Sequence, residues 1–314
     1  MTSFSIVNYS LRPSKSIQRQ IVFDGVSKLS AHLNLDRMMY VGFGSIWFTD
    51  FVMAHKLLGI NDMVSMETDE VGFLRAKFNS PYATVRVIHG LSSDVLPQLY
   101  QDNALRARPW MVWLDYDREF DDTLKIDIKS IVENAPANCI LLVTFNGNEL
   151  KYGRAPDRPA RLKELFGDGV PDDLPKNACK DDRMHQTLAD LALDFMSSTA
   201  NDLSRPGGFV SAFRLVYRDV APMITVGGIL PARGAARIAD DFIRGTNWPC
   251  KPVKPIVAPH LTMREAAVLQ SQLPCDQPLT RDAVRGLGFD LEDDQLEAFT
   301  TYYRQYPAFA QIVG

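Results

Sequence analysis

A glycine turn and an acidic residue downstream of it are the first features of this sequence that could do chemistry. Gly42-Phe43-Gly44 follows the apolar run 38–41 and leads into a segment with apolar residues at helical spacing. A G-x-G turn lets the backbone pass close to a ligand because no Cβ intervenes, and the helix N-terminus behind it favours an anion. Glu67 lies 25 positions after Gly42, where an acidic side chain can hold ribose hydroxyls. The pair predicts a nucleoside-containing ligand, whereas G-x-G alone is as typical of a tight strand-to-helix turn.

Candidate catalytic side chains follow two other apolar runs. Asp115, Tyr116 and Asp117 come directly after the run 110–114, and His89 ends the run that precedes it. Carboxylates and an aromatic ring there could position a nucleophile, and imidazole could act as a general base because it titrates near neutral pH. The structural alternatives are that the two aspartates cap the next helix and that His89 is a hydrogen-bonded structural residue.

Arg12 and Lys15, two basic residues near the start of the chain, are assigned to substrate binding. Arg12, Lys15 and Arg19 cluster at the N-terminus of a predicted helix over 17–32, where positive charge opposes the helix dipole. This placement suits an anionic partner, such as a phosphate or a carboxylate. An ordinary solvated face is the alternative. Asn146, after the last apolar run of the series, is also assigned to substrate binding.

The elements that must position these residues follow from the apolar pattern. Runs that are apolar on both faces and alternate with helical stretches predict a parallel sheet covered on both sides. The segments 213–217 and 223–226, joined by turn residues, predict an antiparallel pair at one edge. We therefore predict an α/β, Rossmann-like, mostly parallel sheet with a late antiparallel strand pair and a helical C-terminal extension. The predicted organisation is a domain over 1–230, with a charged insertion at about 151–206, and an extension over 231–314. The five apolar runs are 38–41, 63–66, 84–88, 110–114 and 139–143.

This layout resembles the class I S-adenosylmethionine-dependent methyltransferases over roughly 38–230. The shared features are the order of glycine turn, helix, acidic strand end and fourth-strand aspartate, followed by a late antiparallel pair. The resemblance implies S-adenosyl-L-methionine as cofactor. It assigns the methionine moiety to Gly42, Phe43 and Gly44, the ribose to Glu67, and the adenine to Gly90, Leu91 and Ser92.

The sequence departs from the family pattern at several positions. The family usually has an acidic residue where Tyr40 stands and a third glycine where Ile46 stands. Asp115 is similar to the Mg²⁺-binding aspartate of catechol-type O-methyltransferases, but Phe145-Asn146 replaces their Asp-Asn pair. The D-P-P-Y strand end of base N-methyltransferases is matched only by Tyr116. We assign no metal ligands, and Mg²⁺ at Asp115 and Asn146 is the alternative left open.

Composition and missing motifs exclude other classes. With 34 Lys and Arg against 38 Asp and Glu, the net charge of −4 argues against indiscriminate nucleic-acid binding. No apolar run approaches the roughly 18 residues of a membrane span. Four scattered cysteines are typical of reduced thiols, so we expect a cytoplasmic protein without contact to a membrane. Zinc-hydrolase, serine-esterase and P-loop signatures are missing.

The predicted function is therefore methyl transfer from S-adenosylmethionine to an oxygen or nitrogen nucleophile of a small-molecule or nucleic-acid acceptor. One alternative is a catalytically silent methyltransferase-like subunit of a larger complex. Another is a protein that modifies or senses nucleic acid. The charged insertion and the C-terminal helices are the candidate surfaces for a protein partner.

Overall fold

A seven-stranded sheet organises the chain in the computed structural model, which describes residues 12–245 and 248–307, apart from the side chain of Lys176. The strands are β1 (Met39–Gly42), β2 (Asp62–Glu67), β3 (Val85–His89), β4 (Trp110–Asp115), β5 (Cys139–Asn146), β6 (Val210–Arg218) and β7 (Pro222–Leu230). The helices are α1 (Pro13–Leu33), α2 (Thr49–Leu58), α3 (Glu70–Asn79), α4 (Ser92–Gln101), α5 (Asn103–Arg106), α6 (Asp122–Asn134), α7 (Arg158–Phe166), α8 (Asp181–Asp202), α9 (Ala236–Arg244), α10 (Met263–Gln270), α11 (Arg281–Gly286) and α12 (Asp293–Tyr302).

The strand order is β3-β2-β1-β4-β5-β7-β6. The first five strands are parallel, and Val41 of β1 lies opposite Val64 of β2 and Val112 of β4. β7 runs antiparallel to both β5 and β6. The predicted fold class is therefore confirmed, including the late antiparallel pair. The carboxyl ends of β1, β2, β4 and β5 meet at one edge of the sheet, which is where such folds bind ligands.

Helices cover both faces of the sheet because alternate strand residues point to opposite sides. Met39 and Val41 face the layer that contains α4, α6, α7 and α8. Tyr40 faces the other layer, in which α1, α2 and the C-terminal helices pack. No helix within the described ranges is both long and apolar enough to cross a lipid bilayer.

The C-terminal segment closes the free edge of the sheet at β6. The amide of Arg214 donates to the Cys250 carbonyl at 2.8 Å, and Ile256 exchanges backbone hydrogen bonds with Val216 and Arg218. An exposed strand edge can pair with a strand of another molecule. The backbone hydrogen bonds from Cys250 and Ile256 cover part of this edge. The predicted helical extension is confirmed as α9–α12, while the division into domains remains a prediction.

Two helices begin at other residues than the sequence predicted. α1 starts at Pro13 and not at Ile17, since a proline is well placed at the first helical position and the Asp219 carboxylate accepts from the amides of the next two residues. α2 starts at Thr49 and not at Ile46. The intervening loop places Ser45 and Phe48 at a positive φ of 48°, which is incompatible with a helix.

Candidate active site

The cavity at the carboxyl edge of the sheet has a volume of about 370 Å³, which is within the usual range of ligand sites. It brings together residues from α1, from the loops after β1, β2, β4 and β5, and from the β6–β7 hairpin. Most of the catalytic and substrate-binding residues predicted from the sequence line it. The lining residues are Arg12, Lys15, Arg19, Phe43, Gly44, Ser45, Trp47, Thr49, Asp50, Glu67, Thr68, Asp69, Asp115, Tyr116, Asp117, Asn146, Tyr217, Asp219, Ala221 and Met223.

The glycine loop reaches the cavity wall through Phe43, Gly44 and Ser45. The amide of Gly44 donates to Ser65 Oγ at 3.0 Å. A Cβ on Gly44 would lie 2.4 Å from the Phe48 ring, so this glycine is required by the packing of the loop itself. Gly42 lies behind the wall, where a Cβ would approach the Trp113 carbonyl to 2.9 Å. The prediction that the glycines admit a ligand therefore stays untested, and internal packing explains both.

The N-terminus of α2 opens onto the same cavity. Its N-cap residue, Phe48, provides no side-chain hydrogen bond to the first turn, and Thr49 and Asp50 line the wall. Amides at a helix start attract negative charge, and Asp50 provides a carboxylate in this first turn. The Asp50 carboxylate accepts a short hydrogen bond from the Tyr40 hydroxyl. Burial raises the pKa of Asp50, while the charge of Arg19 and this hydrogen bond oppose the increase.

Glu67 stands at the end of β2 and lines the cavity, as predicted. Its Oε1 accepts hydrogen bonds from the amides of Thr68 at 2.9 Å and Asp69 at 3.0 Å. These bonds fix the orientation of the carboxylate. Burial raises the pKa of Glu67, and the two amide hydrogen bonds oppose that effect.

Asp115 is held in an ion pair with Lys15. Lys15 Nζ lies 2.8 Å and 2.6 Å from the two carboxylate oxygens and 2.9 Å from the Tyr217 hydroxyl. The Lys15 side chain is only 4% exposed. Burial lowers the pKa of Lys15 to about 8, although the charge of Asp115 favours the ammonium form. A lysine with such a pKa can exchange a proton near neutral pH.

The residues at the Mg²⁺ position considered above do not fit a divalent cation. The Asp115 carboxylate is occupied by the Lys15 ammonium, and Asn146 Oδ1 accepts from the amide of Asn148 at 2.8 Å. Within residues 12–245 and 248–307, no group of three or more His, Cys, Asp or Glu side chains could hold a metal ion. We derive no catalytic step through a metal.

Arg19 is buried beside this ion pair. Its side chain is 8% exposed, and Nη2 lies 3.9 Å from Asp115. Its Nε and Nη1 are buried and have no hydrogen-bond partner among the described residues. The sequence places Arg19 near Lys15, but the predicted substrate-binding residues do not include it. The spacing of four residues, which puts both on one helix face, was the available signal.

Tyr116 presents its ring to the cavity and not its hydroxyl. The hydroxyl donates to the Asp127 carboxylate, and the ring packs edge-on against Phe43 with centroids 5.0 Å apart. Burial and the Asp127 charge raise the pKa of Tyr116 well above its usual value. The phenol is therefore a poor proton donor or acceptor. Asp117 also lines the cavity.

The predicted adenine-binding segment and His89 lie outside the wall of this cavity. Of Gly90, Leu91 and Ser92, the last is buried and donates to the Asp127 carboxylate. His89 Nε2 is 3.0 Å from the Thr68 carbonyl oxygen, and its ring stacks on Phe73. This is the structural alternative considered for His89. The structure does not bring its imidazole to the Lys15–Asp115 pair.

Several residues of the wall were not predicted from the sequence, among them Asp50, Tyr217 and Asp219. Tyr217 contacts Lys15 from 202 positions away, and Asp219 caps α1 from the β6–β7 hairpin. Asp50 accepts from the Tyr40 hydroxyl, ten positions before it. Their identity carries no motif, so only the tertiary contacts reveal them.

Two features define a class I methyltransferase fold. One is the sheet order, in which an antiparallel strand lies next to the last parallel one, and the other is the cavity at the carboxyl edge of the sheet. A solved structure shares this fold. Trm1 from Pyrococcus horikoshii, solved with S-adenosyl-L-methionine, is 14% identical with a TM-score of 0.50, covering 77% of this chain and 60% of that one. This chain thus spans three fifths of the length of that protein. An O-methyltransferase from Bacillus cereus in complex with SAH is 12% identical with a TM-score of 0.37, covering 65% of this chain and 79% of that one.

A family model described as "Putative O-methyltransferase" matches residues 7–314. The chain belongs to that family. No curated protein matched the sequence in the corresponding search. The recognition of a divergent class I methyltransferase from the glycine turn and the strand-end acids is thereby confirmed.

Proposed function

We propose that this protein transfers a methyl group from S-adenosyl-L-methionine to a hydroxyl oxygen of a small acceptor. The observation that carries the proposal is the convergence of Gly44, Glu67 and the Lys15–Asp115 pair on one cavity at the carboxyl edge of the sheet. The family description supports oxygen as the nucleophile.

The residues of the cavity suit the cofactor. Glu67 is oriented to accept hydrogen bonds from the ribose hydroxyls, and the loop from Phe43 to Ser45 lines the place of the methionine moiety. The ring of Tyr116, held by Asp127, offers an apolar face beside Phe43. When bound, the cofactor supplies an activated methyl group on a sulfonium, so the protein has mainly to align the acceptor with it.

The acceptor hydroxyl lies next to Lys15 and Tyr217 in this proposal. Methylation of this hydroxyl would release its proton, and the neutral form of Lys15 would accept that proton. The resulting ammonium is stabilised by Asp115, which lies 2.6 Å away. The low pKa of Lys15 makes the neutral form accessible near pH 8.

Binding of S-adenosylhomocysteine by isothermal titration calorimetry tests the cofactor site. Glu67→Gln removes the anionic acceptor for the ribose hydroxyls, so we expect about 10- to 100-fold weaker binding. Glu133→Gln, which changes an exposed glutamate on α6, serves as the matched control and should bind like the wild type.

Two results would contradict the proposal. If the wild type releases no heat at millimolar ligand, the protein is a catalytically silent subunit. If it binds ligand but transfers no labelled methyl group to any member of a panel of phenols, alcohols and hydroxy acids, the assignment of a small hydroxyl acceptor is wrong.

A further inference from the structure

A buried arginine lines the cavity, and two of its guanidinium nitrogens have no hydrogen-bond partner in the described part of the chain. Arg19 is more than nine-tenths buried and lines the cavity, and its Nε and Nη1 have no partner among the described residues. Its remaining ion-pair contact, from Nη2 to Asp115, is long at 3.9 Å. A buried charge that lacks hydrogen bonds is costly, so such a side chain is retained where a ligand completes it.

The neighbouring carboxylates are already committed to other groups. Asp115 receives the Lys15 ammonium on both oxygens, and Asp50 receives the Tyr40 hydroxyl. Asp219 receives two amides at the start of α1. Arg19 therefore has the donor capacity for a further anion.

We propose that Arg19 binds the carboxylate group of a ligand in this cavity. A guanidinium offers two parallel N–H groups along either the Nε–Nη2 edge or the Nη1–Nη2 edge, and such a pair matches the two oxygens of a carboxylate. Either edge of Arg19 combines one nitrogen that has no partner among the described residues with Nη2, whose contact to Asp115 is long, and this favours a carboxylate as the anion. The inference rests on the proposed function, since it assigns a role within the same site. The carboxylate belongs either to the amino-acid moiety of the cofactor or to the acceptor, and the experiment separates these sources.

The test compares two ligands that differ only in the carboxylate. S-adenosylhomocysteine and its decarboxylated analogue, S-adenosyl-3-thiopropylamine, are titrated into the wild type, Arg19→Gln and Arg19→Lys. If the carboxylate is that of the cofactor, the wild type binds S-adenosylhomocysteine about 10- to 100-fold more tightly than the analogue. Arg19→Gln removes this difference and leaves the affinity for the analogue unchanged. Arg19→Lys keeps the positive charge but lacks the paired N–H groups, so it should retain part of the difference in affinity between the two ligands.

If the carboxylate is that of the acceptor, the two nucleosides bind wild type and variants alike. Benzoate and 4-hydroxybenzoate, titrated with saturating S-adenosylhomocysteine, then bind the wild type at least 10-fold more tightly than Arg19→Gln. Arg161→Gln, on the exposed surface of α7, is the matched control and should not change any of these affinities.

The inference is overturned if the wild type does not distinguish the two nucleosides and Arg19→Gln leaves benzoate binding unaltered or undetectable in both proteins. Such a result, with S-adenosylhomocysteine still bound, would leave the proposed function intact. If circular dichroism shows that Arg19→Gln does not fold, the proposal is still tested by comparing the affinities of the wild type and of Arg19→Lys for the same ligands.

Discussion

At the scale of single residues, the site depends on Lys15, whose pKa is lowered by burial and raised by a neighbouring carboxylate. Burial disfavours the ammonium form of Lys15, while Asp115 favours it, and the result is a pKa of about 8. Arg19, four residues later, adds a second positive charge, which lowers the same pKa. The positive charges of Lys15 and Arg19 therefore lie beside the cavity, opposed by the carboxylates of Asp115 and Asp50, and Lys15 carries an exchangeable proton.

The titration of Lys15 can be measured without knowing the acceptor. We expect the ¹³Cε signal of Lys15 to titrate with a midpoint near pH 8, since burial outweighs the ion pair. Asp115→Asn removes the charge that raises this pKa, so the midpoint should fall below 8. Asp36→Asn, which changes an exposed acid, is the control and should not move it.

The sign of the effect on activity follows from this titration. Proton acceptance requires the neutral amine, so methyl transfer should rise as the pH increases through about 8. Lys15→Arg, which stays protonated, should lose that rise. A Lys15 midpoint above 10 in the wild type would remove the basis for its role in proton transfer.

At the scale of elements, the site depends on where two helices begin. Asp219, in the β6–β7 hairpin, accepts from the amides of Ser14 and Lys15 and so positions the first turn of α1. The loop before α2 places Ser45 and Phe48 at positive φ, and this keeps the helix start at the cavity wall. Strained backbone of this kind is typical of functional loops.

The packing of the glycine loop gives a prediction at this scale. Gly44→Ala should destabilise the protein by about 1–3 kcal/mol, because its Cβ would overlap the buried Phe48 ring. Gly286→Ala in α11, where a Cβ meets no atom within 4 Å, should instead stabilise it by up to about 1 kcal/mol. Urea unfolding monitored by circular dichroism measures both. Equal stability of the two variants would show that the loop relaxes freely around Gly44.

At the scale of the whole molecule, the C-terminal helices share a core with the sheet. Leu269, Val284, Leu296 and Phe299 pack in the same cluster as α1 and α2. The amide of Ala258 also donates to Ser14 Oγ at 3.0 Å, close to the site. The segment from 263 to 302 has eight acidic and three basic residues, a balance that offers little attraction to a phosphate backbone.

This shared core predicts a single unfolding transition. Phe299→Ala, at a fully buried position of α12, should lower the free energy of unfolding by about 3–5 kcal/mol without splitting the transition. Val253→Ala, at a position that is 92% exposed, should leave it unchanged. Differential scanning calorimetry tests this expectation. Two separate transitions, with only one shifted by Phe299→Ala, would instead establish an independent C-terminal domain.

The sequence by itself determined the strand–helix alternation, the antiparallel pair and the strand ends that carry Gly44, Glu67 and Asp115. These follow from local patterns, because apolar periodicity and turn residues act over a few positions and parallel strands share one ligand-binding edge. Because these patterns are local, they place Asp115 at a strand end but do not reveal that its partner is Lys15.

Only the tertiary structure decided what the strand ends contact. It paired Asp115 with Lys15, which is 100 positions away. It also placed the Tyr217 hydroxyl within hydrogen-bond distance of the same lysine. It also bonded the Tyr116 hydroxyl to Asp127 and left two nitrogens of the buried Arg19 without a hydrogen-bond partner among residues 12–245 and 248–307. Such contacts depend on how α1 packs across the sheet, and burial and distance set the pKa values and charge balance there. No local pattern carries that information.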